Sequence, residues 1–575
     1  MTSIDHVQNK HSQYRIALSI TATIMVLLLI VQTLLLGYLS WSTSPNRTEI
    51  GHLGASVYFW HTGKFDVFHV NPPLVRMIAG MPIALFCNPK YDWSNYSPRP
   101  QDRCEWQLGN AFVIANELND LRIYVFLARI FCIPLVLLGG YVGFRFASEL
   151  YCEWSGVLFL ILWTFSPFIL GWGATICPDV VATSMGVIGL YTFWRWLKIP
   201  TWGRTFIAGI CLGLMLLTKL TWIIAFPIWL ILWLLWYYGI SREKRKPLFV
   251  QFFVIFFLSF YVINMGYLCN GSFRLVKNYG FISEMFTGYK TTETSNLELG
   301  NRFKDSLLGY IPIPLPADFI QGIDTQRFDF EHGITSYARG KYADHGWYWY
   351  YGYVLLLKEP LGVWLLIGLA LLVTFFCKSL HRNLLNESTI LLTILIVFLF
   401  ISSQTGFSRH PRYIILLLPL NYIFISKLAH SFVIRKKRFV LFGVASLIWI
   451  VTSSLWFYPH SLSYFNESVG KPQEWPKYLL GTNIDAGQDL YIMKEWCANH
   501  PDAKPLYISC GTWFSKNKLG IQNIEEVPQH PTPGWMLISV NELYQKNSKY
   551  EWLKERKPIG MIGFSIWVYW IDNNT

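Results

Sequence analysis

Residues 16–76 read IALSITATIMVLLLIVQTLLLGYLSWSTSPNRTEIGHLGASVYFWHTGKFDVFHVNPPLVR. The first part, 16–41, carries no charged side chain and is long enough to cross the roughly 30 Å of hydrocarbon in a bilayer. No small-residue cleavage site follows it, so it reads as a retained anchor rather than a signal peptide. The chain then sets down Thr48, Glu49 and His52 and a Pro72-Pro73 pair at once. A membrane anchor that opens directly onto a carboxylate and a histidine places polar chemistry at the membrane surface.

The rest of the chain extends that reading. Of 575 residues, 53% are hydrophobic, 17% aromatic and only 14% charged, too apolar for a soluble globular protein of this size. Apolar runs near 16–41, 122–147, 155–174, 180–197, 205–218, 221–240, 247–268, 351–377, 388–403, 412–432 and 439–457 predict a polytopic α-helical membrane protein of about eleven spans. The fifth and sixth runs are separated only by Thr218 and Lys219. Lys10 and Arg15, then Arg195, Lys198 and Arg204, then Arg242, Lys244, Arg245 and Lys246, then Lys378 and Arg382, and finally Arg435 through Arg438 fall on one side of the membrane when eleven spans are counted. The excess of Lys and Arg marks that side as cytoplasmic and shares it with the N-terminus. The outer face then carries the loops 42–121 and 269–350, the turns around Asp179 and Arg409, and the tail from residue 458.

The net charge of +13 sits in those short clusters, which membrane orientation explains without nucleic acid. The ten cysteines form no C-x-x-C pair and imply neither a zinc site nor a disulfide framework. Cys87 with Cys104, and Cys497 with Cys510, are within reach of pairing in outer loops, with free thiols as the default. The chain divides into a transmembrane part, 1–457, and a tail, 458–575, whose runs KPLYIS, GWMLISV and IGFSIWVYWI predict a small mixed α/β extracytoplasmic domain.

Glu49, His52 and Ser56 are spaced to share one helix face, with Thr48 or Asn46 as the N-cap. Two readings stand. Glu49 is a general base, with His52 as its hydrogen-bond partner or as a shared ligand of a divalent metal; or the segment is an interfacial amphipathic helix with a solvated polar face. One Glu-x-x-His pair supplies only two ligands, so the metal stays unassigned. Asp179 opens the fourth run, where it either caps a helix or pairs across the outer cleft. Cations at apolar borders are costly and so informative. Lys219, Lys358, Arg409 and Arg412 are candidates for holding a phosphate, with snorkelling as the alternative. Arg129 lies deeper and calls for a buried partner. In YARGKYADHGWYWYYGY, residues 337–353, an aromatic belt accounts for the rings, while Lys341, Asp344, His345 and Tyr350 are candidates for facing a sugar or an acceptor.

Taken in chain order, TEIGHLGASVYFWHTGKFDVFHVNPPLVRMIAG, FSPFILGWGATICPDVVAT, GICLGLMLLTKLTWII, IPIPLPADFIQG, GWYWYYGYVLLLKEPL, SRHPRYIILLLPL and HSLSYFNESVGKPQEWPKYLLGTNIDAGQDL resemble the dolichyl- or polyprenyl-phosphate-mannose-dependent protein mannosyltransferases. The resemblance is to their bacterial branch within glycosyltransferase fold class C, and more remotely to the aminoarabinose transferases of lipid A. It implies a multi-pass protein of the bacterial inner membrane, a polyprenyl-phosphate sugar as donor, and a protein or glycolipid hydroxyl as acceptor. It further implies inverting transfer, with Glu49 and Asp179 as carboxylates and Lys219, Arg409, Arg412 and Lys358 on the donor phosphate. Where that family has an Asp-Glu pair, this chain has Thr48-Glu49. The departure leaves three expectations. Glu49 acts as base, or Asp179 does, or the chain is a silent homologue; a transporter or flippase is the reading from a different class.

Overall fold

A computed structural model describes residues 3–93, 103–239, 245–289, 299–376, 384–434, 437–511, 516–521 and 525–572. The chain begins with α1 (Ser3–Ser42), α2 (Arg47–Thr62), α3 (Leu74–Phe86), α4 (Cys104–Ala115), α5 (Leu118–Leu150), α6 (Glu153–Thr164) and α7 (Pro167–Gly173). It continues through α8 (Pro178–Lys198), α9 (Trp202–Leu216), α10 (Ala225–Gly239), α11 (Arg245–Gly266), α12 (Glu284–Thr287) and α13 (Ala317–His332). A hairpin of β1 (Ser336–Ala338) and β2 (Lys341–Ala343) precedes α14 (Tyr350–Lys358), α15 (Leu361–Phe376), α16 (Leu384–Ser403), α17 (Leu418–Ile434) and α18 (Lys437–Phe457). After α18 come α19 (Leu490–Asn499), β3 (Leu506–Ser509), β4 (Gly534–Ser539), β5 (Gly560–Ile562) and β6 (Ile566–Ile571).

Every apolar run of the sequence is helical. Among the described residues seven helices are long and apolar enough to cross a membrane, or up to nine if two bent pairs each count as one span. The bends follow from proline. Ser166 and Glu359 precede Pro167 and Pro360, and both are extended (ψ 121° and 138°), as the residue before proline prefers. The axis turns there by 58° between α6 and α7 and by 110° between α14 and α15. The expected span 351–377 is therefore broken at its start. The other two runs differ in character: α8 is buried all round, and α9 is a short apolar helix of 15 residues. Outward-facing Leu34, Phe257, Phe375 and Leu441 are more than two-thirds exposed, as lipid-facing side chains of an integral membrane protein are. Arg242, Lys244, Lys378, Arg382, Arg435 and Lys436 lie outside the described residues.

The three expected tail strands are present as β3, β4 and β6. They form one sheet in the order β3-β4-β6-β5, with β3 parallel to β4 and the remaining pairs antiparallel. Neither Cys87 with Cys104 nor Cys497 with Cys510 forms a disulfide.

The segment after α18 is stitched onto one end of the bundle. Ser44 N donates to Gln488 O (3.0 Å) and Ser44 Oγ to Gly487 O (2.6 Å). Lys518 Nζ donates to the carbonyls of Val113, Ile114 and Asn116 at the end of α4. Helices α2 and α4 cross so closely that a Cβ on Gly109 would lie 2.7 Å from Ile50 O, which is why glycine stands there. The site lies at this end of the bundle.

Candidate active site

Asn46 begins α2 with a capping box: its side chain accepts from Glu49 N (3.1 Å) while its own N–H donates to Glu49 Oε2 (2.9 Å). Arg129, on α5, donates to the same carboxylate through Nε (2.8 Å to Oε1) and Nη2 (2.7 Å to Oε2), and Ile176 N adds a fourth bond (3.0 Å to Oε1). Both side chains are wholly buried. Arg129 also reaches the carbonyls of Ser40, Thr43 and Ser44, tying α1, α2 and α5 together.

This bears on two expectations, against the first and in line with the second. Glu49 is a satisfied structural carboxylate with no oxygen left to take a proton from an acceptor, and Arg129 has the buried partner its depth demanded. Glu49 and His52 also do not fit a shared metal, since both Glu49 oxygens are committed to donors. Among the described residues no three His, Cys, Asp or Glu side chains gather as a metal site. His52 does not bond Glu49. Its ring packs on Phe68 (4.7 Å between centroids), both nitrogens are buried without a hydrogen-bond partner, and burial drives its pKa well below the usual value. Helix α2 is accordingly no interfacial helix: residues 49–59 are buried, covered by α3 and α4.

Asp179 stands apart from Glu49. It lies at the start of α8, 3% exposed, and accepts from Lys219 Nζ at 2.5 Å; Arg412 Nε is 3.7 Å from its second oxygen. Lys219 occupies an extended break between α9 and the 3-10 turn Leu220–Ile224, which aims its ammonium back across α8. Arg412 begins the stretch leading into α17 and donates to Thr48 Oγ1 (3.1 Å). Thr48, Asp179, Lys219 and Arg412 therefore converge from four segments of the chain. Two cations face one carboxylate, which leaves positive charge for an anion. Arg409, three residues earlier, is exposed at the rim with no carboxylate partner among the described residues, and the Arg47 guanidinium feels its charge.

An apolar cavity of about 260 Å³ adjoins this cluster. Leu220, Ile323, Phe330, Phe400, Ile401 and Tyr413 line it, with Arg327 and Gln404 at its polar edge. The Tyr413 ring is the shared wall: Lys219 Nζ lies 4.4 Å from its centroid.

Four further candidates lie elsewhere. Lys358 is buried and donates to the carbonyls of Leu462 and Asn483, with Phe465 under its ammonium (4.7 Å), so it fastens the tail rather than facing a phosphate. Tyr350 is buried, donating to Arg409 O (3.0 Å) and accepting from Asn483 Nδ2 (3.0 Å), so its hydroxyl has no room for a sugar. Asp344 is 82% exposed beside Lys546 (4.0 Å), and His345 is exposed next to it; neither joins the cluster.

Sequence reading missed the supporting residues. Arg103 bridges Glu105 (2.6 Å) and Asp329 (2.7 Å), fixing α13 to the first loop. Tyr413 gave a signal, an aromatic directly after Arg412 in SRHPRY; Arg103 and Asp329, which meet across 226 positions, gave none.

No family model matches the chain, and no curated protein matches it. Among solved structures it is similar to ArnT from Cupriavidus metallidurans in the apo state, with 12% identity, 95% of this chain and 98% of that chain covered, and a TM-score of 0.44. It is similar also to ArnT from the same organism bound to undecaprenyl phosphate (11%, 94% and 97%, 0.43). The oligosaccharyltransferase AglB from Archaeoglobus fulgidus, in complex with an inhibitory peptide and a dolichol-phosphate, matches at 11% identity over 91% of this chain and 69% of that one (TM-score 0.43). At scores below 0.5 these likenesses leave the architecture resting on the helices and the sheet described above.

Proposed function

We propose that the protein is a membrane glycosyltransferase of fold class C that moves a sugar from a polyprenyl-phosphate carrier to a hydroxyl acceptor, with inversion, on the non-cytoplasmic face of a bacterial inner membrane. In this reading the N-terminus is cytoplasmic and the tail extracytoplasmic. The observation that carries it is the Lys219–Asp179–Arg412 cluster set against an apolar cavity across the Tyr413 ring. A phosphate joined to a hydrocarbon chain needs that pairing of adjacent cations and apolar walls. The motif resemblance points the same way.

The chemistry can be assigned to this chain's own residues. Before the donor arrives, Asp179 offsets one of the two positive charges on Lys219 and Arg412. The phosphate competes for both cations and loosens them from Asp179, whose freed oxygen then accepts the proton of the acceptor hydroxyl. The hydroxyl oxygen bonds to the anomeric carbon as the carbon–phosphate oxygen bond breaks, and the electron pair leaves on the lipid phosphate. Lys219 and Arg412, fixed in place beforehand, stabilise that growing charge. Thr48, at the position where the resembled family has an Asp, orients Arg412 and is not a base.

The test is turnover of a polyprenyl-phosphate sugar by the protein reconstituted in vesicles. Lys219→Met is expected to raise the donor KM at least about tenfold, the cost of one charge-assisted hydrogen bond. An unchanged donor KM in that variant would remove the phosphate from this cluster.

A further inference from the structure

Helix α11 carries an outward stripe of Phe249, Phe253, Phe257, Tyr261 and Met265, each at least 45% exposed, and the stripe continues past the helix end into Leu268 and Phe273, both 65% exposed. Both of these adopt left-handed backbone (φ 53° and 61°), unusual for bulky side chains, so the chain accepts local strain in order to turn them outward. The turn is rigid. Asn264 Nδ2 donates to Pro314 O (3.0 Å), Asn270 Nδ2 to Asp318 Oδ2 (2.9 Å), and Ala317 N to Asn270 O (2.9 Å).

From this base the stretch 273–276 pairs with 311–313: Phe273 N to Ile313 O (2.8 Å), Val276 N to Ile311 O (3.1 Å) and Ile313 N to Arg274 O (3.1 Å). The tip carried on it is apolar and bare. Leu307 is 91% exposed, Leu308 53%, Tyr310 62% and Ile311 49%. Exposed Arg274, Arg302 and Lys304 flank it, and Lys277 Nζ sits 3.8 Å over the Tyr310 ring. Aliphatic side chains at a tip, a tyrosine behind them and basic residues at the edge match the layers of a membrane interface in order.

We infer that this paired loop is a foot seated in the bilayer, with Leu307, Leu308 and Ile311 in the outer part of the hydrocarbon and Arg274, Arg302 and Lys304 among lipid headgroups. Lipid is the occupant because the patch is continuous with the lipid-facing stripe of α11 and carries the basic edge that anionic headgroups attract. The foot is rooted in α13, whose Ile323 and Phe330 line the apolar cavity. Seating it therefore sets one wall of that cavity at a fixed height in the membrane. This inference does not depend on the reaction proposed above.

The test places an environment-sensitive nitrobenzoxadiazole label on Leu307→Cys, and separately on Leu308→Cys, in a Cys269→Ser chain reconstituted into phosphatidylcholine vesicles. Leu307 is 91% and Leu308 53% exposed, so neither is a core position, and labelling of the Cys269→Ser chain alone is the blank. Lipids brominated high in the acyl chain are expected to quench the labels at 307 and 308 at least threefold more than a label on Asp344→Cys. Quenching at 307 and 308 no greater than at 344 overturns the proposal and leaves the patch to a protein partner or a second copy.

Discussion

Glu49 and Asp179 are two carboxylates at one end of a helix bundle that are held in different ways. Glu49 receives four hydrogen bonds, two from a buried guanidinium and two from backbone N–H groups, so its charge is fully used in holding α1, α2 and α5 together. Asp179 meets one ammonium at 2.5 Å and a guanidinium at 3.7 Å, the partners that an incoming phosphate would draw away in the proposed reaction. Replacing Glu49 by Gln strands Arg129 as a buried charge with half its partner lost, and breaking such a pair costs about 3–5 kcal/mol. Glu49→Gln is therefore expected to lower the melting temperature and the folded yield, and folded protein that survives should keep its donor KM. A variant as stable as the parent with transfer abolished would return the base role to Glu49. The stretch NRTE held the clue. Asn followed three residues later by Glu is a capping-box signature, which marks Glu49 as part of a helix start before any chemistry is assigned to it. Its guanidinium partner, 80 residues away, leaves no local trace.

At the scale of elements, the first outer loop is clamped to α13 by buried polar pairs. His69 Nδ1 lies 3.5 Å from Asp318, with Arg76, Glu105 and Asp66 also facing it, and burial lowers the His69 pKa to about 4. Burial raises the Asp318 carboxyl. A histidine whose folded pKa lies below its unfolded value near 6.5 binds fewer protons when folded, so stability rises with pH across that window. Acidifying from pH about 6.5 toward 4 is thus expected to remove about 3 kcal/mol through His69. Melting temperatures measured across that range should fall more steeply for the parent than for His69→Gln; parallel curves would contradict it. The elements themselves were largely legible. The apolar runs are helical, two of them as bent pairs, and each tail run contains a strand, because both depend on local periodicity. The bends before Pro167 and Pro360 were legible in principle, since S-P and E-P interrupt apolar runs. That Lys358, one residue from such a break, turns to tail carbonyls instead of a phosphate was not, because the tail lies 104 and 125 residues away.

Across the whole molecule, the segments that resemble a transferase family in the sequence meet at one end of the bundle. Lys219 from a broken helix, Asp179 from a buried one and Arg412 from the entry to α17 come together only once α8, α9 and α17 pack. The tail completes that end: Lys358, Tyr350 and His410 are each tied to residues 482–483, and His410 Nδ1 is 3.0 Å from Thr482 Oγ1. Cations and carboxylate could be nominated from the sequence because charges beside apolar runs are rare. Their grouping into Lys219 with Asp179 and Arg412, apart from Glu49 with Arg129, is set by helix packing that no spacing reveals. In the proposed reaction Asp179 takes the acceptor proton beside a phosphate held by Lys219 and Arg412, and single-turnover transfer from a polyprenyl-phosphate sugar by reconstituted Asp179→Asn tests that step. This variant is expected still to bind the donor while transfer falls about 10²–10⁴-fold, the usual contribution of a positioned base. Transfer at the parental rate in Asp179→Asn would contradict it.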